Sequence, residues 1–184
     1  MTPALAYLVL VAAVSAERVA ELALSARNAR RALARGGTES GRALFPWMVA
    51  FHAAFLLGLA AAPLVDPRPP PPSWMASAVA GVVLAEALRW WAVASLGDRW
   101  NVRVIVVPGE PPVTRGPYAF LRHPNYAAVA IEVACLPLAW GLWRLAIAFS
   151  LANALLLAAR VRDEERALGP AWEQAFAGKR RFVP

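Results

Sequence analysis

An all-α, polytopic membrane protein is the fold class this sequence predicts: a bundle of about five transmembrane helices, followed by a cytoplasmic C-terminal amphipathic helix. Three observations predict it. Apolar residues fill 59% of the 184 positions and charged residues only 17%, too little polar surface to cover a soluble core of that size. The apolar residues come in stretches near the roughly 20 that a bilayer-crossing helix needs. Arginines cluster between those stretches, almost all on one side.

Taken in order, spans are expected at Pro3 to Leu24, Leu44 to Val65, Ser73 to Leu96, Asn125 to Trp140 and Leu142 to Arg160. The first begins in an apolar run, Thr2 to Ala16, without a basic segment before it. It reads as a retained helix rather than a cleaved leader. Asp66 to Ser73 is a proline-rich turn that no helix can cross. The fourth span is short and meets the fifth at Trp140-Gly141, which predicts a tight hairpin. Gly97 to His123 is a polar connection, and the charged tail after Arg160 has enough apolar residues for an amphipathic helix.

Charge orients the bundle. Arg27, Arg30, Arg31, Arg35 and Arg42 lie between spans one and two, and Arg99, Arg103, Arg115 and Arg122 between three and four. Arg160, Arg162, Arg166, Lys179, Arg180 and Arg181 form the tail group, against only Arg68 and Arg144 on the other side. The positive-inside rule then places the N-terminus outside and the C-terminus in the cytoplasm. The excess of 19 Lys+Arg over 12 Asp+Glu is thereby explained by topology and anionic headgroups, not by nucleic acid. The lone cysteine, Cys135, rules out an internal disulfide.

Two segments carry the chemistry. The first runs from Thr114 through Gly116-Pro117-Tyr118 to Arg122-His123-Pro124-Asn125-Tyr126. Pro124 suits the first turn of a helix, so Arg122 and His123 stand at a helix start, where unpaired N–H groups and the dipole favour an anion. A lipid anchor and a helix cap would account for the same two residues. The second segment is Arg160-Val-Arg-Asp-Glu-Glu-Arg166. Glu164 and Glu165 cannot share one helical face, so one can turn inward as an acceptor while the other pairs in solvent. A plain solvated charge run fits as well.

Four spans also carry polar residues, each charge costing about 2.5 kcal/mol or more in lipid. Glu17, Arg18, Glu86 and Arg89 read as internal ion pairs between helices, with Glu86 and Arg89 on one face, and Glu21 lies in the same half of the first span. His52 and Glu132, each about two turns into a span, are candidates to line a substrate pocket.

Together, Gly116-Pro117-Tyr118, Arg122-His123-Pro124-Asn125-Tyr126, Glu164-Glu165, Leu168-Gly169 and Arg181-Phe182-Val183-Pro184 resemble the isoprenylcysteine carboxyl methyltransferase family of integral membrane enzymes. The resemblance implies a single methyltransferase domain over 1–184, with S-adenosylmethionine bound by roughly 97–184. It implies that Tyr118, His123, Pro124, Tyr126, Glu164 and Glu165 form the cofactor site. Arg122 would orient an anionic acceptor, and His52 or Glu132 would take its proton where one must leave. No glycine-rich dinucleotide fingerprint is present to suggest another cofactor fold. The family often has tyrosines where this tail has Trp172 and Phe176, so aromatic packing is expected without a hydroxyl contact. Glu17 to Glu21, Ser25 to Asn28, Gly36 to Glu39, Phe45 to Val49 and His52 are similar to a bacterial branch that accompanies type III polyketide synthases. Trp100-Asn101 and Val104 to Val107 fit it too, as a loop beside the cofactor. That branch O-methylates long-chain alkylpyrones or alkylresorcinols, which implies a lipophilic small-molecule acceptor and a bacterial inner membrane. Methylation of phospholipid amines, and a non-enzymatic membrane scaffold, are the rival readings. Oligomeric state is not legible.

Overall fold

The computed structural model describes residues 1–182. Five helices carry the chain: α1 (Pro3–Ala34), α2 (Phe45–Val65), α3 (Pro72–Leu96), α4 (Pro124–Leu138) and α5 (Trp143–Ala175). The first four each have a proline in their first turn, where no intrahelical N–H is lost. At α1 the hydroxyl of Thr2 also accepts from the Leu5 N–H at 3.3 Å. Helices α2, α3 and α5 are long and apolar enough to cross a membrane. With 32 residues α1 has the length but carries Glu17, Arg18 and Glu21. The 15 residues of α4 rise about 22 Å, short of the ~30 Å hydrocarbon core. The five-helix membrane bundle expected from sequence is what the chain builds, with its first and fourth members supported by their neighbours.

Two features differ from expectation. The fifth span and the amphipathic tail are one element that bends at Gly169, whose φ of 71° and ψ of −169° are open to glycine alone. A small antiparallel sheet joins the loops at one end, β1 (Thr38–Ser40) to β2 (Val104–Val106), with Glu39 opposite Ile105. Strands of three residues are too short to show a periodicity. Their anchor is electrostatic: Glu39 accepts from both Arg103 and Arg42, and the Arg103 hydrogen bond holds its carboxyl below the ordinary range.

Along its axis the bundle has three layers. At the end holding the 66–71 turn, Tyr7, Val11, Phe55, Leu59, Val82, Val133 and Leu136 form an apolar core. Tyr7 stacks on Trp140 at 5.2 Å, and the Trp140 indole donates to the Asp66 carbonyl at 3.0 Å. The middle layer is ionic. Arg89, 2% exposed, pairs with Glu132, also 2% exposed, and with Glu86 at 3.2 Å. Arg18 reaches Glu21 at 3.0 Å, Glu86 at 3.3 Å and Glu132 at 3.8 Å. These are the internal pairs expected for Glu17, Arg18, Glu86 and Arg89, and Glu21 and Glu132 join them. The third layer, at the arginine-rich end, holds the polar loops and the tail.

A buried pair is weak net support for a fold but expensive to break by half. Arg89→Met strands Glu132 and is expected to destabilise the protein by about 3–5 kcal/mol in detergent unfolding. Arg89→Met/Glu132→Leu should recover much of that loss. Equal losses for the single and double variants would show that the pair carries no coupling.

Candidate active site

The site assembles where α4 begins and α5 emerges from the bundle. Gly116, at φ +60°, starts a tight turn (Gly116–Ala119) under the end of α3. A Cβ there would meet the Ser95 hydroxyl at 2.0 Å and Trp91 Nε1 at 3.2 Å, so the approach is open only to glycine. The turn seats Tyr118 against Ala92, Trp172 and Phe176 in a second apolar cluster. Burial first, and the charge of Glu164 second, push the Tyr118 hydroxyl well above its ordinary value, so it stays protonated.

Pro124 opens α4 with His123 at the cap position. His123 is 4% exposed, and its Nε2 lies 3.1 Å from Glu165 Oε1. One residue away on α5, Glu164 accepts from the Tyr126 hydroxyl. The adjacent carboxylates therefore both reach α4, one to the cap histidine and one to the helix tyrosine. The His123 ring is walled by Tyr126 at 5.4 Å, Trp172 at 5.4 Å and Phe182 at 6.3 Å. Trp172 in turn stacks on Phe176 at 4.7 Å. Trp172 and Phe176 thus supply aromatic packing, without a hydroxyl.

The tail closes over this ensemble. Leu121 and Arg180 form a parallel bridge, with Arg122 N–H donating to Arg180 O at 2.9 Å and His123 N–H to Arg181 O at 3.1 Å. The cap N–H of His123 is therefore engaged by a tail carbonyl, not left open to an anion. Arg122 Nε donates to the Lys179 carbonyl at 2.7 Å, and Lys179 Nζ to the Tyr118 carbonyl at 3.0 Å. Arg181 pairs with Glu165 at 2.7 Å. Of the expected tail motif, Val183 and Pro184 lie outside the described residues.

The remaining candidates sit deeper. His52 Nδ1 lies 2.8 Å from the Met48 carbonyl, which can only accept, so Nδ1 carries a proton there and, in the neutral ring, Nε2 is the acceptor. Glu132 belongs to the ionic layer rather than to the ring of residues around His123. Between the two levels, Ser25 bonds Asn101 at 2.7 Å and Asn28 donates to the Trp100 carbonyl at 2.8 Å, which fastens the 97–107 loop to α1.

Sequence reasoning missed two residues here. Arg160 counted only as a topology charge. It is 3% exposed and donates to the Tyr126 hydroxyl at 3.0 Å and the Val102 carbonyl at 2.6 Å. Its place one helical turn before Glu164 was the available signal. Asn125 was quoted within a motif but given no role. Its Oδ1 is buried and bonds nothing among the described residues, an orphan acceptor costing about 1–3 kcal/mol.

An all-helical membrane bundle with paired carboxylates, an imidazole and stacked rings gathered at one polar mouth defines a class of integral membrane enzyme, and comparison with known proteins specifies it. A model of the isoprenylcysteine carboxyl methyltransferase family matches residues 77–170, just over half the chain. The chain is also 36% identical, over 160 residues, to the uncharacterized protein YpbQ of Bacillus subtilis strain 168, covering 86% of this chain and 94% of that one. The chain belongs to the isoprenylcysteine carboxyl methyltransferase family. It is an integral membrane methyltransferase of the S-adenosylmethionine-dependent kind.

The turn at Gly116 tests the local argument. Gly116→Ala forces an L-residue into the left-handed region, a cost of about 1–2 kcal/mol. Detergent unfolding should show at least that loss, and adding Ser95→Ala, which removes the closest contact but not the dihedral, should not restore it. Full rescue by Ser95→Ala would show that sterics alone demand the glycine.

Proposed function

We propose that this chain transfers a methyl group from S-adenosylmethionine to a carboxylate or acidic hydroxyl oxygen of a lipophilic acceptor. The reaction takes place at the cytoplasmic mouth of a bacterial inner-membrane bundle whose N-terminus is outside. The observation that carries this reading is the convergence of Glu165 on His123 and of Glu164 on Tyr126.

The residues suit the cofactor. Its ammonium and ribose hydroxyls need acceptors, and Glu164, Glu165 and the orphan Asn125 Oδ1 are acceptors. Its adenine and sulfonium suit aromatic faces, which His123, Tyr126 and Trp172 present, with Tyr118 and Pro124 shaping the pocket. When bound, the sulfonium supplies an already activated methyl group.

The protein's work is then to position the acceptor and exclude water. The tail strap over Arg122 and His123 excludes water. A groove of about 400 Å³, lined by Trp47, Ala50, Phe51, Ala152, Leu155 and Leu156, suits the acceptor's apolar chain. Leu156 stands one turn before Arg160, so the groove leads toward the polar mouth. A carboxylate or acidic enol, as in an isoprenylcysteine-like or alkylpyrone acceptor, is ionised near neutral pH and needs no base. A resorcinol hydroxyl is weaker, and His52, which neighbours Phe51 of the groove, is our candidate to take its proton.

S-adenosylhomocysteine should raise the thermal unfolding midpoint of the purified protein, by the mass-action law for a ligand that binds only the folded state. His123→Ala and Glu165→Ala should each remove that shift. Labelled methyl should then appear as ester or ether in extracted lipid. A wild-type protein that does not respond to saturating ligand would overturn the reading, and N-methylated phospholipid as the product would replace the acceptor.

A further inference from the structure

The arginines of the polar end fall into those engaged by their own chain and those left free. Arg35 pairs with Asp98 at 2.8 Å and Glu110 at 3.4 Å, and Arg99 with Glu110 at 3.0 Å. Glu39 takes Arg42 and Arg103, Asp163 takes Arg166, and Glu165 takes Arg181. Arg115 and Arg122 donate to the carbonyls of Ser95 and Lys179. Arg27, Arg30 and Arg31 differ. All three are exposed, and their side chains make no hydrogen bond or ion pair among the described residues. Arg162 of α5 is also free, on a different helix. No acidic residue lies between Glu21 and Glu39, so nothing local offsets the three charges on α1.

Helix geometry fixes where this charge sits. The 32 residues of α1 rise about 48 Å, against a hydrocarbon core of ~30 Å. Counted from Pro3, roughly 20 residues cross that core, so α1 leaves it near Leu22. Val19 and Leu22, 67% and 42% exposed, face lipid there. At about 100° per residue, Arg30 falls within about 20° of Val19, with Arg27 and Arg31 beside it. Arg27 stands about 7 Å past Leu22 and Arg31 about 13 Å. Helical side chains lean toward the N-terminus, here back toward the bilayer. The three guanidinium groups therefore reach the headgroup layer, about 5–7 Å deep, on the lipid-facing side of α1.

Phosphate is the anion at that depth, and a guanidinium matches it with paired N–H donors. We propose that Arg27, Arg30 and Arg31 bind the phosphate of an acidic phospholipid and seat its headgroup against α1. A zwitterionic headgroup offers the same phosphate but brings its own cation, which three unpaired arginines repel. The site requires only that α1 cross the bilayer, so it stands apart from the methyl-transfer reading.

The test titrates the full chain, in a neutral detergent, with phosphatidylglycerol and phosphatidylcholine, and counts bound lipid by native mass spectrometry. The wild type should prefer phosphatidylglycerol. Arg27→Gln/Arg30→Gln/Arg31→Gln should weaken phosphatidylglycerol roughly hundredfold, about fivefold per arginine, and leave phosphatidylcholine unchanged. Arg42→Gln/Arg115→Gln/Arg166→Gln removes the same charge from arginines already engaged and should keep the preference. Should the α1 triple variant fail to fold, Arg30→Gln alone should lose about fivefold and Arg30→Lys recover part of it. An equal loss in the two triple variants overturns the proposal, because net charge and not the α1 stripe would then set the affinity. Equal binding of both lipids by the wild type also overturns it and leaves the stripe to an acidic protein surface.

Discussion

Glu164 and Glu165 project from α5 just past the bundle, and the polar end depends on where those two carboxylates go. Adjacent residues on a helix diverge by about 100°, yet both find partners at the start of α4, because His123 is the cap and Tyr126 lies most of a turn further on. That fit requires α5 to continue beyond the apolar span without a break, and it does so until Gly169. The bend at Gly169 then swings Trp172 and Phe176 beneath His123, and the chain returns as the strap beside Leu121. The acidic pair thus ties α5 and, through Arg181, the tail to the start of α4, while the turn at Gly116 closes on Trp172 and Phe176.

The ionic layer beneath serves a different purpose. In lipid, a buried charge is costly unless it finds a partner inside the protein. Arg18 and Arg89 meet four carboxylates from three helices, which explains how a charged α1 and a short α4 hold station in a membrane. It also separates the apolar core from the reactive mouth, so the site can be polar without exposing the bundle's interior.

Much of this was legible in the sequence because membranes impose strong patterns. Apolar stretches, the proline-rich turn at 66–71 and the arginine distribution predicted the five helices and the polar end. The pairing of Glu86 with Arg89 followed from helical spacing. The motif residues around His123 and Glu165 predicted which segments would meet. What stayed illegible depends on contacts between distant segments. The Leu121–Arg180 bridge and the Thr38–Val106 pairing involve single residues or three-residue strands, with no local period to betray them. Arg160 was hidden by its company: among many basic residues its burial could not be guessed, although its spacing to Glu164 was in plain view. Glu132 reads from sequence as a candidate near substrate, and only the packing of α4 on α3 shows that Arg89 engages it.

The tail strap is the part of the account on which the closed mouth rests, and a cysteine pair measures it directly. Parallel bridge partners stand about 4.8 Å apart, inside the Cα range of a disulfide. In a Cys135→Ser background, Leu121→Cys/Arg180→Cys should oxidise to one intramolecular disulfide in native membranes, detected as a cross-linked peptide by mass spectrometry. Two thiols that stay free to alkylate under the same oxidant would mean that the tail does not close over α4, and the enclosed site described here would not exist.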